Sequence, residues 1–292
     1  LSSYAQGTNG LVYQQIIIDL PQLDDELIKL LPYYTHALTE LGVGDEDYLS
    51  TQHKQASICG SISAFTTMRG DASDEQQVKS YLVMSSKALA RNQQAQAELM
   101  KDTLSNVRFD ELPRLRELVG QQRARREQSV TNNGHSLAMV AASSGMSPYA
   151  KLSHGLTGLA GIQSVKTLDN SLKDEQQLRS FSEQLKTLHS KVLAAHKQLL
   201  VVAEADHLPS CTQALKTLWQ NDSNSQQGML SLPAVREVKK QLWVANTQVN
   251  FCAKAYPTVT SNHPDAAALT ILGGFLRNGF LHRTIREQGG AY

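Results

Sequence analysis

The 292 residues are 41% hydrophobic and 19% charged, which excludes a disordered or collagen-like chain, and no apolar window approaches the length of a membrane span. Lys plus Arg (28) and Asp plus Glu (27) nearly cancel to a net charge of +1, so no overall field draws nucleic acid or an anionic membrane to the chain. Cys59, Cys211 and Cys252 are scattered with no C-x-x-C pair, which argues against a disulfide scaffold or a structural zinc site and leaves free, mostly buried thiols as the default.

Residues 10–20 (GLVYQQIIIDL) are rich in β-branched and aromatic side chains between a glycine and Pro21, and predict a buried strand. Over 24–41 the apolar residues Leu27, Leu30, Leu31, Tyr34, Leu38 and Leu41 recur at three- and four-residue spacing behind an acidic start and ahead of Gly42, the pattern of an amphipathic helix with a glycine stop. A short helix near 48–56 leads into two strands, 57–68 and 77–89, joined by a polar turn. Residues 92–107 and 110–129 are dense in strong helix formers and predict consecutive helices. The Gly-, Ala- and Ser-rich stretch 132–161 keeps enough leucine, methionine and valine to pack rather than to serve as a solvated linker.

A helix over 174–196, a short strand over 199–203 and a helix over 208–219 follow. Residues 220–228 (QNDSNSQQG) are polar and aperiodic, and mark the expected domain boundary. Beyond it, 237–258 predicts one or two strands and 265–286 a helix. The whole predicts an α+β fold with helices packed on one face of a mainly antiparallel sheet, followed by the start of a second domain.

Metal and nucleophile motifs are sparse. Neither H-E-x-x-H nor H-x-x-E-H occurs; the nearest approach is His36 with Glu40, one imidazole and one carboxylate a helical turn apart, a pair that could chelate a metal but is commoner as an ordinary helix surface. His189 and His196 are two helical turns apart, about 10 Å, too far to share an ion unaided. The glycines of 154–161 fit neither a dinucleotide fingerprint nor a P-loop, no G-x-S-x-G elbow is present, and the arginine-rich stretch 114–126 reads as a solvated helix face.

The last residues, REQGGAY over 286–292, resemble the Arg-Glu-x-Gly-Gly-Ala-Tyr segment of pitrilysin/insulinase-type peptidases. TNGLVY (8–13), LTELG (38–42), GSIS (60–63) and GHSLAM (134–139) resemble the presequence-protease branch of that superfamily in the same order along the chain. The resemblance implies a C-terminal half of a zinc metallopeptidase: residues 1–222 as a third, non-catalytic pitrilysin-type domain and 223–292 as the N-terminal part of a fourth, truncated one. It places the zinc site in an absent N-terminal half, with none in this chain, and makes His36 to Glu40 a degenerate counterpart of the zinc motif. It implies catalytic and substrate-binding roles for Arg286 and Tyr292, which reach a bound peptide, with Gly289 and Gly290 letting the backbone turn between them; Arg283 is a neighbouring charge. The expected partners are peptide substrates, such as cleaved targeting peptides, and the N-terminal half of the same protease. The compartment stays open between bacterial cytoplasm or periplasm and an organelle lumen. The alternative is a non-catalytic binding or structural subunit of the same fold.

Overall fold

The computed structural model describes residues 1–220 and 228–291. Five strands form one sheet in the order β1-β5-β2-β4-β3, with β1 at Ser2–Ala5, β2 at Leu11–Asp19, β3 at Ile62–Gly70, β4 at Val78–Leu89 and β5 at Lys197–Ala203. Only the β1–β5 pair is parallel. Along β2 the side chains of Val12, Gln14, Ile16 and Ile18 are buried while Tyr13 on the opposite face is exposed, the period-two signature of a sheet covered on one side.

The first helix, α1 (Asp25–Glu40), supplies most of that cover. Asp24 caps it, accepting from the Leu27 N–H at 2.9 Å, and Asp25 and Glu26 sit in its positive first turn. Ten of its sixteen residues are buried, so it is not a surface helix but the middle layer, with the sheet below and helices α4 (Leu112–Asn132) and α8 (Glu175–Leu193) above. Leu31, Tyr34 and Leu38 are fully buried there. Helices α2 (Tyr48–Ile58), α3 (Gln93–Ser105) and α9 (Leu208–Trp219) flank this layer, and a smaller cluster of Val12, Val201, Ala203, Cys211 and Leu215 fills the space beneath α3 and α9. The stretch rich in small residues packs as expected, as α5 (Gly134–Ser143), α6 (Pro148–Leu156) and α7 (Leu159–Ser171). All three cysteines are free, Cys59 and Cys211 buried and Cys252 exposed.

The loop after α1 is fixed from a distance. Glu111 accepts from the Gly42 N–H at 2.7 Å and from the Tyr48 N–H at 3.1 Å, and Arg108 N–H donates to Gly42 O at 2.8 Å. A Cβ at Gly42 would stand 2.3 Å from the Glu46 carbonyl oxygen. Because that neighbour is backbone rather than a flexible side chain, Gly42→Ala is expected to cost about 3 kcal/mol in urea unfolding.

The chain differs from expectation after the polar segment. The expected boundary at 222 and most of the 220–228 linker lie outside the described residues. Residues 228–265 form no strand; they run extended along the body. Leu230 and Val235 are buried, the Leu230 N–H donates to Leu20 O at 2.8 Å, and the Glu237 N–H donates to Gly145 O at 2.8 Å. Phe251 lies against Gly134, and the Trp243 ring meets the His154 ring edge-on at 5.5 Å. A strand needs a neighbouring strand to pair with, and this segment lies against helices α5 and α6 instead.

Gln76 is the clamp: its Nε2 donates to Met146 O at 2.9 Å and its Oε1 accepts from the buried Val235 N–H at 2.8 Å. Gln76→Ala orphans both backbone groups, and is expected to cost about 2 kcal/mol. Limited proteolysis should then cut within 228–265 faster than in the wild type.

Candidate functional site

The C-terminal turn is built by helix α10 (Ala266–Leu276), which continues into a π-helix at Arg277–Gln288. The sequence predicts a single helix over 265–286; the wider winding begins at its middle, where Gly273, Gly274 and Gly279 leave little side-chain packing between turns. Three backbone bonds close the end: Gly289 N–H to Thr284 O at 3.0 Å, Gly290 N–H to Arg286 O at 3.1 Å and Ala291 N–H to Ile285 O at 3.1 Å.

Both glycines are needed for that closure, for different reasons. Gly290 adopts φ +67°, the left-handed region, and a Cβ on Gly289 would stand 2.6 Å from Ile285 O. The turn therefore brings Arg286, Gly289 and Gly290 together. Tyr292 lies outside the described residues.

Arg286 is exposed, and its guanidinium has no hydrogen-bond or ion-pair partner among the described residues. One turn before it, His282 Nδ1 lies 3.3 Å from Glu287 Oε1, which occupies the adjacent acid. Arg283 on the same element is exposed too. Five donors in a planar fork, held at a helix end and unengaged, suit a peptide carbonyl or carboxylate.

The His36 and Glu40 pair is arranged for something other than a metal. Glu40 Oε2 accepts from Arg114 Nη2 at 2.9 Å and from Gln52 Nε2 at 3.0 Å, and the Arg114 guanidinium stacks over the Tyr48 ring at 4.5 Å. A guanidinium thus already serves as the carboxylate's cation. Burial lowers the His36 pKa; Glu40 opposes the shift, and Arg125 and Arg114 add to it. No group of three His, Cys, Asp or Glu side chains among the described residues is placed to hold a metal ion, so these residues do not fit zinc.

The other two singled-out histidines have structural partners. The imidazole of His189 shares a buried 2.8 Å hydrogen bond between Nδ1 and the Tyr34 hydroxyl, and His196 Nδ1 lies 3.0 Å from Asp19 Oδ2. The arginine-rich helix face is mostly committed: Arg123 pairs with Glu127 and Asp169, and Arg126 donates to Leu156 O at 2.7 Å beneath the Tyr33 ring.

Residues 1–168 match the family described as metallopeptidase-16C associated. Among curated proteins, the chain is 27% identical over 290 residues to the mitochondrial presequence protease of Yarrowia lipolytica, covering 98% of this chain and 29% of that protein. It is 25% identical over 314 residues to the mitochondrial presequence protease of Xenopus laevis, covering 98% and 31%. It is 22% identical over 290 residues to presequence protease 1, chloroplastic/mitochondrial, of Arabidopsis thaliana, covering 98% and 26%. The chain therefore spans about three-tenths of the length of these relatives. A solved structure of a conserved protein from Enterococcus faecalis V583 shares the fold, with a TM-score of 0.52 at 9% identity over 84% of this chain and 53% of that one. No described helix is long and apolar enough to cross a membrane.

Proposed function

From the premise that the chain belongs to the metallopeptidase-16C associated family, we propose that it is the substrate-enclosing C-terminal half of a zinc-dependent oligopeptidase that hydrolyses short unfolded peptides, cleaved targeting peptides among them. The observation that carries the reading is the unengaged Arg286 guanidinium, held over a turn that only Gly289 and Gly290 allow. In this reading Arg286 holds a peptide carbonyl or carboxylate by charge-assisted hydrogen bonds, and the Tyr292 hydroxyl donates to the oxyanion that develops on the scissile carbonyl. The zinc, bound in another part of the longer protein, would supply Lewis-acid chemistry; the residues described here would position and stabilise.

We read 1–222 as one pitrilysin-type domain and 223–292 as the beginning of a homologous one. The contrast in burial supports this: α1 is packed on all sides, whereas Ile271, Phe275 and Phe280 are all exposed.

The test combines this chain, extended past residue 292 in the natural protein, with a separately expressed N-terminal half. Zinc-dependent cleavage of a quenched fluorescent peptide is expected only from the mixture. Peptide binding without cleavage would instead identify a non-catalytic binding subunit of this fold.

A further inference from the structure

The sheet ends in β3, and its outer edge has a readable hydrogen-bonding phase. In an antiparallel pair, successive residues direct their N–H and C=O groups alternately toward and away from the neighbour. Leu20 N–H donates to Ser80 O at 3.1 Å, so even-numbered residues of β4 face β2; Asp71 N–H donates to Gln77 O at 2.9 Å, so the odd-numbered ones face β3. Through the register Phe65↔Val83 and Thr67↔Tyr81, residues 63, 65, 67 and 69 bond to β4. The backbone groups of Ile62, Ala64, Thr66 and Met68 therefore point out of the sheet, and among the described residues nothing hydrogen-bonds to them.

Edges left open are usually short, or blunted by proline, lysine or a covering element. The opposite edge, β1, has four residues; β3 has nine, with neither Pro nor Lys. On the uncovered face of the sheet, Phe65 is 45% exposed between Ser63 and Thr67. At the far end Arg69 has no ion-pair partner among the described residues, whereas Lys79 opposite it is held by Asp71 at 2.7 Å.

We propose that the outer edge of β3 takes an extended segment of peptide substrate as a sixth strand, with a carboxylate of that peptide meeting Arg69. Four outward amide and four outward carbonyl groups provide sequence-tolerant affinity through the backbone, and Phe65 supplies an apolar contact for alternate side chains. Such recognition suits a protein that must hold unfolded peptides of many sequences. The proposal rests on the peptide-holding role above, but it concerns the end of the molecule that carries β3 and is read independently of cleavage.

The probe is a proline-free peptide of about ten residues bearing one glutamate, with a version N-methylated at alternate residues as its control. Residue-resolved amide exchange is expected to slow at least tenfold at Ile62, Ala64, Thr66 and Met68 on adding the peptide, and much less at 63, 65, 67 and 69, already bonded to β4. Thr66→Pro, which removes an outward N–H without touching the β4 ladder, should weaken binding about tenfold by fluorescence anisotropy, and Arg69→Ala about threefold. The N-methylated peptide should not bind at this edge. Binding that leaves those four amides unprotected and is indifferent to Thr66→Pro overturns the proposal, and so does protection that appears with rising protein concentration alone, which would mark β3 as a contact between copies. Either result leaves the role of Arg286 to be judged by activity.

Discussion

Replacing Arg286 with alanine is expected to lower kcat/KM of the reconstituted peptidase by about a hundredfold, close to 2.7 kcal/mol of transition-state stabilisation, while the unfolding midpoint of this chain stays where it was. The second half of that expectation follows from the geometry: the side chain is exposed and makes no contact whose loss would unfold anything. Arg286→Lys should recover only part of the loss, because an ammonium is a point charge without the planar fork that pairs with two acceptors. If Arg286 holds peptide in the ground state and transition state alike, KM rises with kcat unchanged; if it acts on developing charge, kcat falls. Tyr292→Phe, which removes one donor, should cost about tenfold or more in kcat and leave KM nearly constant. Activity indifferent to both changes would remove these residues from the chemistry. A Gly290→Ala variant separates aim from contact: it strains a backbone at φ +67° without removing the guanidinium, so its activity should fall although Arg286 is intact.

Helix α1 is readable because a strong local signal and the tertiary outcome agree: an acidic cap, apolar residues at helical spacing and a glycine stop are all physical causes of the helix that forms. Its position as a middle layer is less plain, since burial of Thr35 and Thr39 on its polar side follows from α4 and α8 packing above it. Strand β1 leaves no trace in composition. Ser2–Ala5 is a strand only because β5, nearly two hundred residues later, runs parallel beside it. The reverse holds over 237–258, where β-branched and aromatic residues suggest strands; Val238, Leu242 and Val244 are over 90% exposed and no ladder forms. Propensity describes what a pleated, half-buried surface would accept, and cannot supply the neighbouring strand.

The candidate site divides in the same way. Arg286 and the two glycines are legible because they are contiguous, and a turn closed by local backbone bonds is a local property. The partner that decides the meaning of Glu40 is Arg114, 74 positions away, and nothing in the spacing of His36 and Glu40 could announce it. The open edge of β3 is hidden for a further reason: edge position belongs to the order of strands in the sheet, not to any strand's own sequence.

Acidification is expected to remove about 3 kcal/mol of stability through one residue, His189. Its imidazole is buried against Tyr34 and Phe109, and burial pushes its pKa from 6.5 down to about 4. The native state therefore keeps the ring neutral where the unfolded chain would protonate it. Between pH 6.5 and 4 the unfolded state binds the extra proton, so stability is complete above pH 6.5 and falls as the pH drops toward 4, a gap that corresponds to roughly 3.4 kcal/mol. Burial lowers the pKa of His36 and His154 as well, and their titrations add to the same acid slope. The double variant His189→Leu with Tyr34→Phe isolates the first contribution without leaving the Tyr34 hydroxyl orphaned in the core. Urea unfolding at pH 7 and pH 4.5 should show wild type losing more stability than the double variant, by about 2 to 3 kcal/mol. Equal losses in the two proteins would mean that His189 is already accessible to protons in the native state, and that the hydrogen bond to Tyr34 does not keep it neutral.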